Sequence, residues 1–348
     1  MKHYAGLDVS MKETFVCVVD ENGERVIEKE ISTDPKTIAN FLKGLGLGIQ
    51  VVGLESGSLS HWLTDELLKL DLPVKCIDAR HIAAVLSVKV NKTDRNDARG
   101  IADAMRCNLY KEVVVKNKQE IEMCTLLNSR KHLVDQRVQT LGCIRGLLKA
   151  YGIRISSLGS SVKSIGLIEK ELVQVPSVAA NAIRQLLISF KVLLDTIKDL
   201  DKQVHQMIKR SQKAQLLMTI PGVGPLTALR FIAEVGNPER FKKSKSVGAY
   251  VGMTPTQYSS GETQKQGRIS KCGPKDLRSL LMEAGIVILT RTKSWSKLKA
   301  WGLKIQRKHG AKKAAVAVGR KLSVIMHRMM MTGKTFEYTD KEEMKKAA

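Results

Sequence analysis

Aromatic side chains are scarce in this chain of 348 residues: Phe, Trp and Tyr together make up 4% of it. Its six cysteines (Cys17, Cys76, Cys107, Cys124, Cys143 and Cys272) include no CxxC pair and have no histidines at matching spacing. That pattern argues against a zinc site and against a disulfide framework, and a reducing cytoplasm is the expected compartment. No run of about 20 apolar residues is present, so no membrane span is expected. The opening MKHYAGLDVS also lacks the apolar stretch of a signal peptide. The other shortage is of acid, and it is local. Residues 1–110 hold 14 Lys and Arg against 16 Asp and Glu, whereas the rest of the chain holds 44 against 18. From Gly236 to Met330 the imbalance steepens to 21 against 4. The formal charge of +24 therefore arises entirely in the later part, and it points to nucleic acid as partner rather than to an acidic protein or a membrane.

What is present is ordinary in amount and ordered in pattern. A hydrophobic content of 43% suffices for two or three domains with cores of their own. Residues 3–9, 14–20 and 25–31 read as strands, the last two joined through Glu21-Asn22-Gly23-Glu24. A helix over 35–44, a strand over 49–55, a helix over 58–70 capped by Ser58, a strand over 73–77 and a helix over 79–88 follow. This succession predicts an α/β domain with a mixed sheet. Beyond about residue 118, apolar residues recur at three- and four-residue steps over 119–150 and 178–213, with a Gly/Ser-rich link from Gly152 to Gly166. A long antiparallel helical arm is expected there, followed by a mainly helical basic domain. In LLMTIPGVGPLTALRFIAEVG, residues 216–236, the PGVGP turn between apolar segments suggests a helix–hairpin–helix. Gly222 and Gly224 would let backbone N–H groups approach a phosphate. The predicted divisions are 1–115, 116–214, 215–335 and a charged tail over 336–348.

Asp94 and Asp97 stand three residues apart in NKTDRNDARG, among Lys92, Arg95 and Arg99. On a helix begun by Thr93 as N-cap, both carboxylates share one face. Alone they suit a solvated helix start, where acids favour the dipole. Asp8, at the end of the first strand, and Glu55, at the end of the fourth, change the reading. Metal sites that cleave phosphodiesters need several hard oxygen ligands. A ribonuclease-H-like sheet sets its first and fourth strands side by side, so these four acids are expected to form one divalent-metal set.

The motifs GLDVS, LESG, NKTDRNDARGIA, IPGVGPLTA, YVGMTP, SSG and GRISKCG, in that order, resemble the DEDD transposases of insertion sequences (the IS110 and IS1111 group) over roughly residues 3–290. The resemblance implies a RuvC-like amino-terminal domain, a coiled-coil arm and a carboxy-terminal transposase domain. It assigns Asp8, Glu55, Asp94 and Asp97 to Mg²⁺, with Mn²⁺ as substitute, and Ser260 of Ser259-Ser260-Gly261 to nucleophilic attack on a DNA phosphate. Donor and target DNA, an element-encoded bridge RNA and a homo-oligomer (dimer or tetramer) are the implied partners. Cys272-Gly273-Pro274 departs from the usual pattern. Arg268, Lys271, Lys275 and Arg278 flank the serine segment and are the expected phosphate contacts. Two alternatives stand beside this reading: a RuvC-like junction nuclease that needs no serine, and a non-catalytic nucleic-acid-binding protein.

Overall fold

The computed structural model describes residues 1–86, 93–155, 159, 161–260 and 263–338. The chain forms two compact units, Met1–Asn117 and Lys118–Ala348. The first runs β1 (His3–Val9), β2 (Glu13–Asp20), β3 (Arg25–Ser32), α1 (Pro35–Gly44), β4 (Ile49–Glu55), α2 (Ser60–Lys69), β5 (Val74–Ile77), α3 (Ala79–Leu86) and α4 (Asp94–Arg106). Its sheet has the order β3-β2-β1-β4-β5, with β1 antiparallel to β2 and parallel to β4. The sheet is therefore mixed, with β4 brought beside β1 by the α1 crossover.

Strand alternation sends side chains to two separate cores. Ala5, Leu7, Val16, Val18, Val52 and Leu54 pack on one face against Ile38 and Leu42 of α1 and Leu63 and Leu67 of α2. On the other face Cys17 and Val19 meet Ala98 and Ala102, while Tyr4 and Val51 meet Ile101 and Met105, all four from α4. Burial pushes the Cys17 thiol up to about 12, with Glu28 adding to the effect, so this sulfur is a packing group rather than a reactive one. Helix α2 starts at Ser60 with Leu59 as its cap residue and no side-chain cap bond, which corrects the expectation that Ser58 caps it. The Ser60 backbone N–H and hydroxyl both donate to the Gly57 carbonyl, so a turn at Gly57 starts the helix instead.

Helix α4 can lie close to the sheet because Gly6 and Gly53 sit opposite one another on β1 and β4. A Cβ on Gly6 would meet the Ala98 carbonyl and, at 2.5 Å, the Ala102 nitrogen; one on Gly53 would meet Met105 Cγ at 2.6 Å. The Gly6 clash is with helix backbone, which cannot swing aside. Gly6→Ala is accordingly expected to cost about 1–3 kcal/mol or more. Thermal unfolding of the full chain checks this, and an unchanged melting temperature contradicts the packing described.

The second unit runs α5 (Lys118–Lys149), α6 (Lys163–Glu171), α7 (Ser177–Arg210), α8 (Gln212–Leu217), α9 (Pro225–Val235), α10 (Lys245–Tyr250), β6 (Pro255–Ser260), β7 (Thr263–Ile269), α11 (Lys275–Thr290), α12 (Lys297–His309) and α13 (Ala311–Thr332). Toward one end of the α5–α7 pair, Leu141, Ile144 and Leu148 meet Ile183, Leu187 and Phe190. Toward the other, Leu126 and Leu127 join Val204 and Ile208 in the larger core built with α8 to α13. By length and composition α7 is apolar enough to cross a membrane, the one such helix among the described residues, which qualifies the expectation drawn from sequence. Arg184 and Lys191 interrupt it, and its buried stripe is spent on these two cores.

Candidate active site and nucleic-acid interface

Gly6-Leu7-Asp8 on β1 and Gly53-Leu54-Glu55 on β4 are the same pattern twice, and they run in parallel register. Gly6 pairs with Gly53 and Leu7 with Leu54, so Asp8 and Glu55 leave the sheet as neighbours at its carboxyl edge. In each triplet the leucine enters the α1/α2 core, and the glycine and the acid face the α4 side. Helix α4 runs antiparallel to β1: Ala98 and Ala102 lie over Gly6, and Arg106 near its other end reaches Gly23 in the β2–β3 turn. Its first turn, with Asp94 and Asp97, is therefore at the edge where Asp8 and Glu55 emerge. Asp8 and Asp97 are half-buried, and Glu55 and Asp94 are exposed.

The start of α4 is held by capping and by an ion pair. Thr93 Oγ1 accepts the Asn96 N–H at 3.2 Å, as the spacing predicts. Arg95 Nε donates to Glu28 Oε2 at 2.6 Å, and Arg25 reaches the same oxygen at 2.9 Å. Burial raises the Glu28 carboxyl, but the hydrogen bonds from Arg95 and Arg25 outweigh it and leave the group below the usual range. Arg95 thus ties the first turn of α4 to β3 instead of screening its carboxylates. Lys92 lies outside the described residues.

Two further acids belong to this edge and were not singled out from sequence. The neighbouring Glu13 carboxylate, with Asp94 contributing less, raises the Glu30 carboxyl above the ordinary range. Their proximity follows from the β2–β3 register, in which Phe15 faces Glu30. Among the described residues, no three His, Cys, Asp or Glu side chains are gathered closely enough to hold a metal ion. The fold sets Asp8, Glu55, Asp94 and Asp97 at one edge without closing them into a coordination shell. The donors are all hard oxygens, the chemistry that Mg²⁺ and Mn²⁺ take.

Ser260 lies in the second unit, at the last position of β6, paired with Thr263 across a two-residue connection. Gly261 is in that connection, outside the described residues. Ser259 and Ser260 are both exposed and, as successive strand residues, present their hydroxyls on opposite faces of the ribbon. Tyr258 shares the Ser260 face, and so does its cross-strand partner Lys265. Arg268 and Lys271 are near the other end, where Ile269 pairs with Pro255, about 17 Å along the strand from Ser260 at 3.4 Å per residue. The expectation that they flank the serine is corrected; Lys265, two positions from the turn, is the nearer base. Arg278 donates from Nη1 to the Val251 carbonyl at 3.0 Å, and Lys275 opens α11 exposed. Gly222 has φ +85° and is packed against the Ala284 carbonyl of α11, so conformation and close approach require glycine there. Around Gly224 the space is open.

Comparison with known proteins places both halves. Residues 214–300 match the model described as "Transposase IS116/IS110/IS902 family", and residues 5–153 match a DEDD transposase model of the IS110 type. The transposase for insertion sequence element IS1111A of Coxiella burnetii is 28% identical over 95% of this chain and 90% of its own length. That for element IS1328 of Yersinia enterocolitica is 26% identical over 95% and 97%. A pilin gene-inverting protein of Moraxella bovis is 32% identical over 41% of this chain and 46% of its own length. The solved RuvC structure of Thermus thermophilus matches 32% of this chain and 99% of its own, at 14% identity and a TM-score of 0.24. With two family models matched in chain order and transposase relatives aligned over 95% of its length, the chain belongs to the IS116/IS110/IS902 family of insertion-sequence transposases.

Proposed function

We propose that this transposase cuts and rejoins DNA by serine attack on a phosphodiester beside a divalent cation held by Asp8, Glu55, Asp94 and Asp97, under the guidance of an element-encoded bridge RNA. Membership in the family brings DNA cleavage and rejoining, and the DEDD domain brings divalent-metal use. The observation that carries the finer reading is the paired Gly-Leu-acid register under α4, which gives four carboxylates one edge of the sheet. When bound, Mg²⁺ or Mn²⁺ would offset charge on the phosphate and favour the ionised hydroxyl.

In this reading Ser260 Oγ loses its proton and bonds to phosphorus as the bond to a deoxyribose oxygen breaks, and that oxygen takes up a proton. The phosphoserine keeps the bond energy that rejoining needs, which hydrolysis would discard. A serine hydroxyl at neutral pH requires such activation. Lys265, on the Ser260 face, would neutralise charge developing on the phosphate. The α8–turn–α9 segment would serve as a helix–hairpin–helix, with backbone N–H groups near Gly224 turned to a DNA phosphate. The test is to identify RNA that copurifies with the full chain and then assay strand exchange with and without it. Exchange at full rate after RNA removal rejects the guidance, and no exchange under any condition rejects the recombinase reading.

A further inference from the structure

From Ala284 to Phe336 the chain carries 13 Lys and Arg and not one Asp or Glu. The densest part is the tip where α12 turns into α13. Lys304, Arg307, Lys308, His309, Lys312 and Lys313 fall within ten residues there, and all are exposed. The turn is made by Gly310 at φ +83°, with nothing within 4 Å of the place a Cβ would take. Among the described residues none of these lysines and arginines forms an ion pair.

Part of this charge has a local explanation. Arg307, Lys308 and His309 lie in the last turn of α12, where cations complement the helix dipole. Lys312 and Lys313 do not fit that account. They sit in the first turn of α13, which has no acidic residue and no side-chain cap, so dipole and neighbouring charge both oppose them. A tip whose charges repel one another and one helix end is costly to the isolated protein. A polyanion laid across it removes that cost.

We infer that the α12–α13 tip is a second DNA-binding surface, separate from the Ser260 ribbon, that grips the phosphate backbone of duplex DNA through Lys304, Arg307, Lys308, Lys312 and Lys313. The tip lies beyond residue 300, where the match to the transposase family model ends. Its contacts are to phosphates and carry no sequence preference, because Lys and Arg at an exposed corner read charge rather than base edges. The surface anchors duplex whose reacting phosphodiester is elsewhere. It depends on DNA as substrate and not on serine chemistry or RNA guidance.

The experiment compares full-length protein with the triple variant Lys308→Gln, Lys312→Gln, Lys313→Gln. Equilibrium binding to an unrelated DNA duplex is measured from 50 to 200 mM salt, in a Ser260→Ala background so that the failure of serine catalysis cannot enter the result. The slope of log affinity against log salt is expected to flatten by about 2 to 3, roughly 0.9 per lost phosphate contact. A control triple on α7, Lys191→Gln, Lys198→Gln, Lys209→Gln, removes equal charge from exposed positions and should leave most of the slope intact. An unchanged slope in the tip variant overturns the proposal, as does equal flattening in the control. A structured RNA of similar length forms the second arm: flattening for RNA alone also overturns the assignment to DNA.

Discussion

Asp97→Ala is expected to lower DNA strand cleavage by about 10³-fold or more while leaving the fold and DNA affinity nearly intact. Asp97 and Asp94 share the first turn of α4, which is positioned by backbone packing at Gly6 and by the Arg95–Glu28 bond, not by the acids themselves. Removing one carboxylate therefore takes away a proposed metal ligand without releasing the helix. Its lost interaction with the dipole is worth only about 0.3–1 kcal/mol. A cation at such a site supplies several kcal/mol of charge stabilisation, and each 1.36 kcal/mol is a factor of ten in rate. Asp8→Ala, Glu55→Ala and Asp94→Ala carry the same expectation, since all four acids are proposed to hold the same cation. The check is cleavage of end-labelled donor DNA in Mg²⁺ and in Mn²⁺, alongside thermal unfolding and equilibrium DNA binding. If Asp97→Ala cleaved and recombined at the normal rate, Asp94 and Asp97 would be the solvated start of a capped helix and nothing more.

Ser260→Ala is expected to abolish recombination and the covalent protein–DNA link together, whereas Ser259→Ala keeps both. The two serines are neighbours and both exposed, so their chemistry alone does not separate them. The ribbon does. Successive residues of a strand face opposite ways, and only the Ser260 face carries Lys265 beside the turn. A hydroxyl on the opposite face would meet a phosphate without that charge. Wild-type protein trapped on nicked DNA should migrate as an adduct that survives denaturant. An adduct that persists in Ser260→Ala, or one that vanishes in Ser259→Ala, reverses the assignment.

Most of the first unit is readable from residue order because alternation and crossover rules act locally. His3–Val9 and Ile49–Glu55 announce themselves as strands, and a sheet of this type makes them adjacent. The GLD and GLE triplets hold more than their two acids. Their glycines could have indicated in advance that a helix backbone lies on the same face as the acids. The pairing of Glu13 with Glu30 depends on hairpin register, which a shift of one residue would undo. In the second unit, residue distance along the chain misleads. Arg268 is eight positions from Ser260 and looks close, but an antiparallel ribbon sends it to the far end. The close approach of Gly222 to α11, more than 60 residues later in the chain, is likewise not announced by local sequence. The charge of the α12–α13 tip is visible in sequence, but its crowding at one turn needs the fold.

The proposed dependence of serine attack on a carboxylate-held cation is tested most directly by adduct yield as a function of divalent cation, measured in wild type and in Asp8→Ala. Asp8 belongs to the first unit and Ser260 to the second, and Asp8→Ala leaves the serine and its ribbon untouched. The serine–DNA adduct is expected to require Mg²⁺ or Mn²⁺, to disappear in chelator, and to fail in Asp8→Ala despite normal DNA binding. An adduct that forms in chelator, or at wild-type yield in Asp8→Ala, would contradict it.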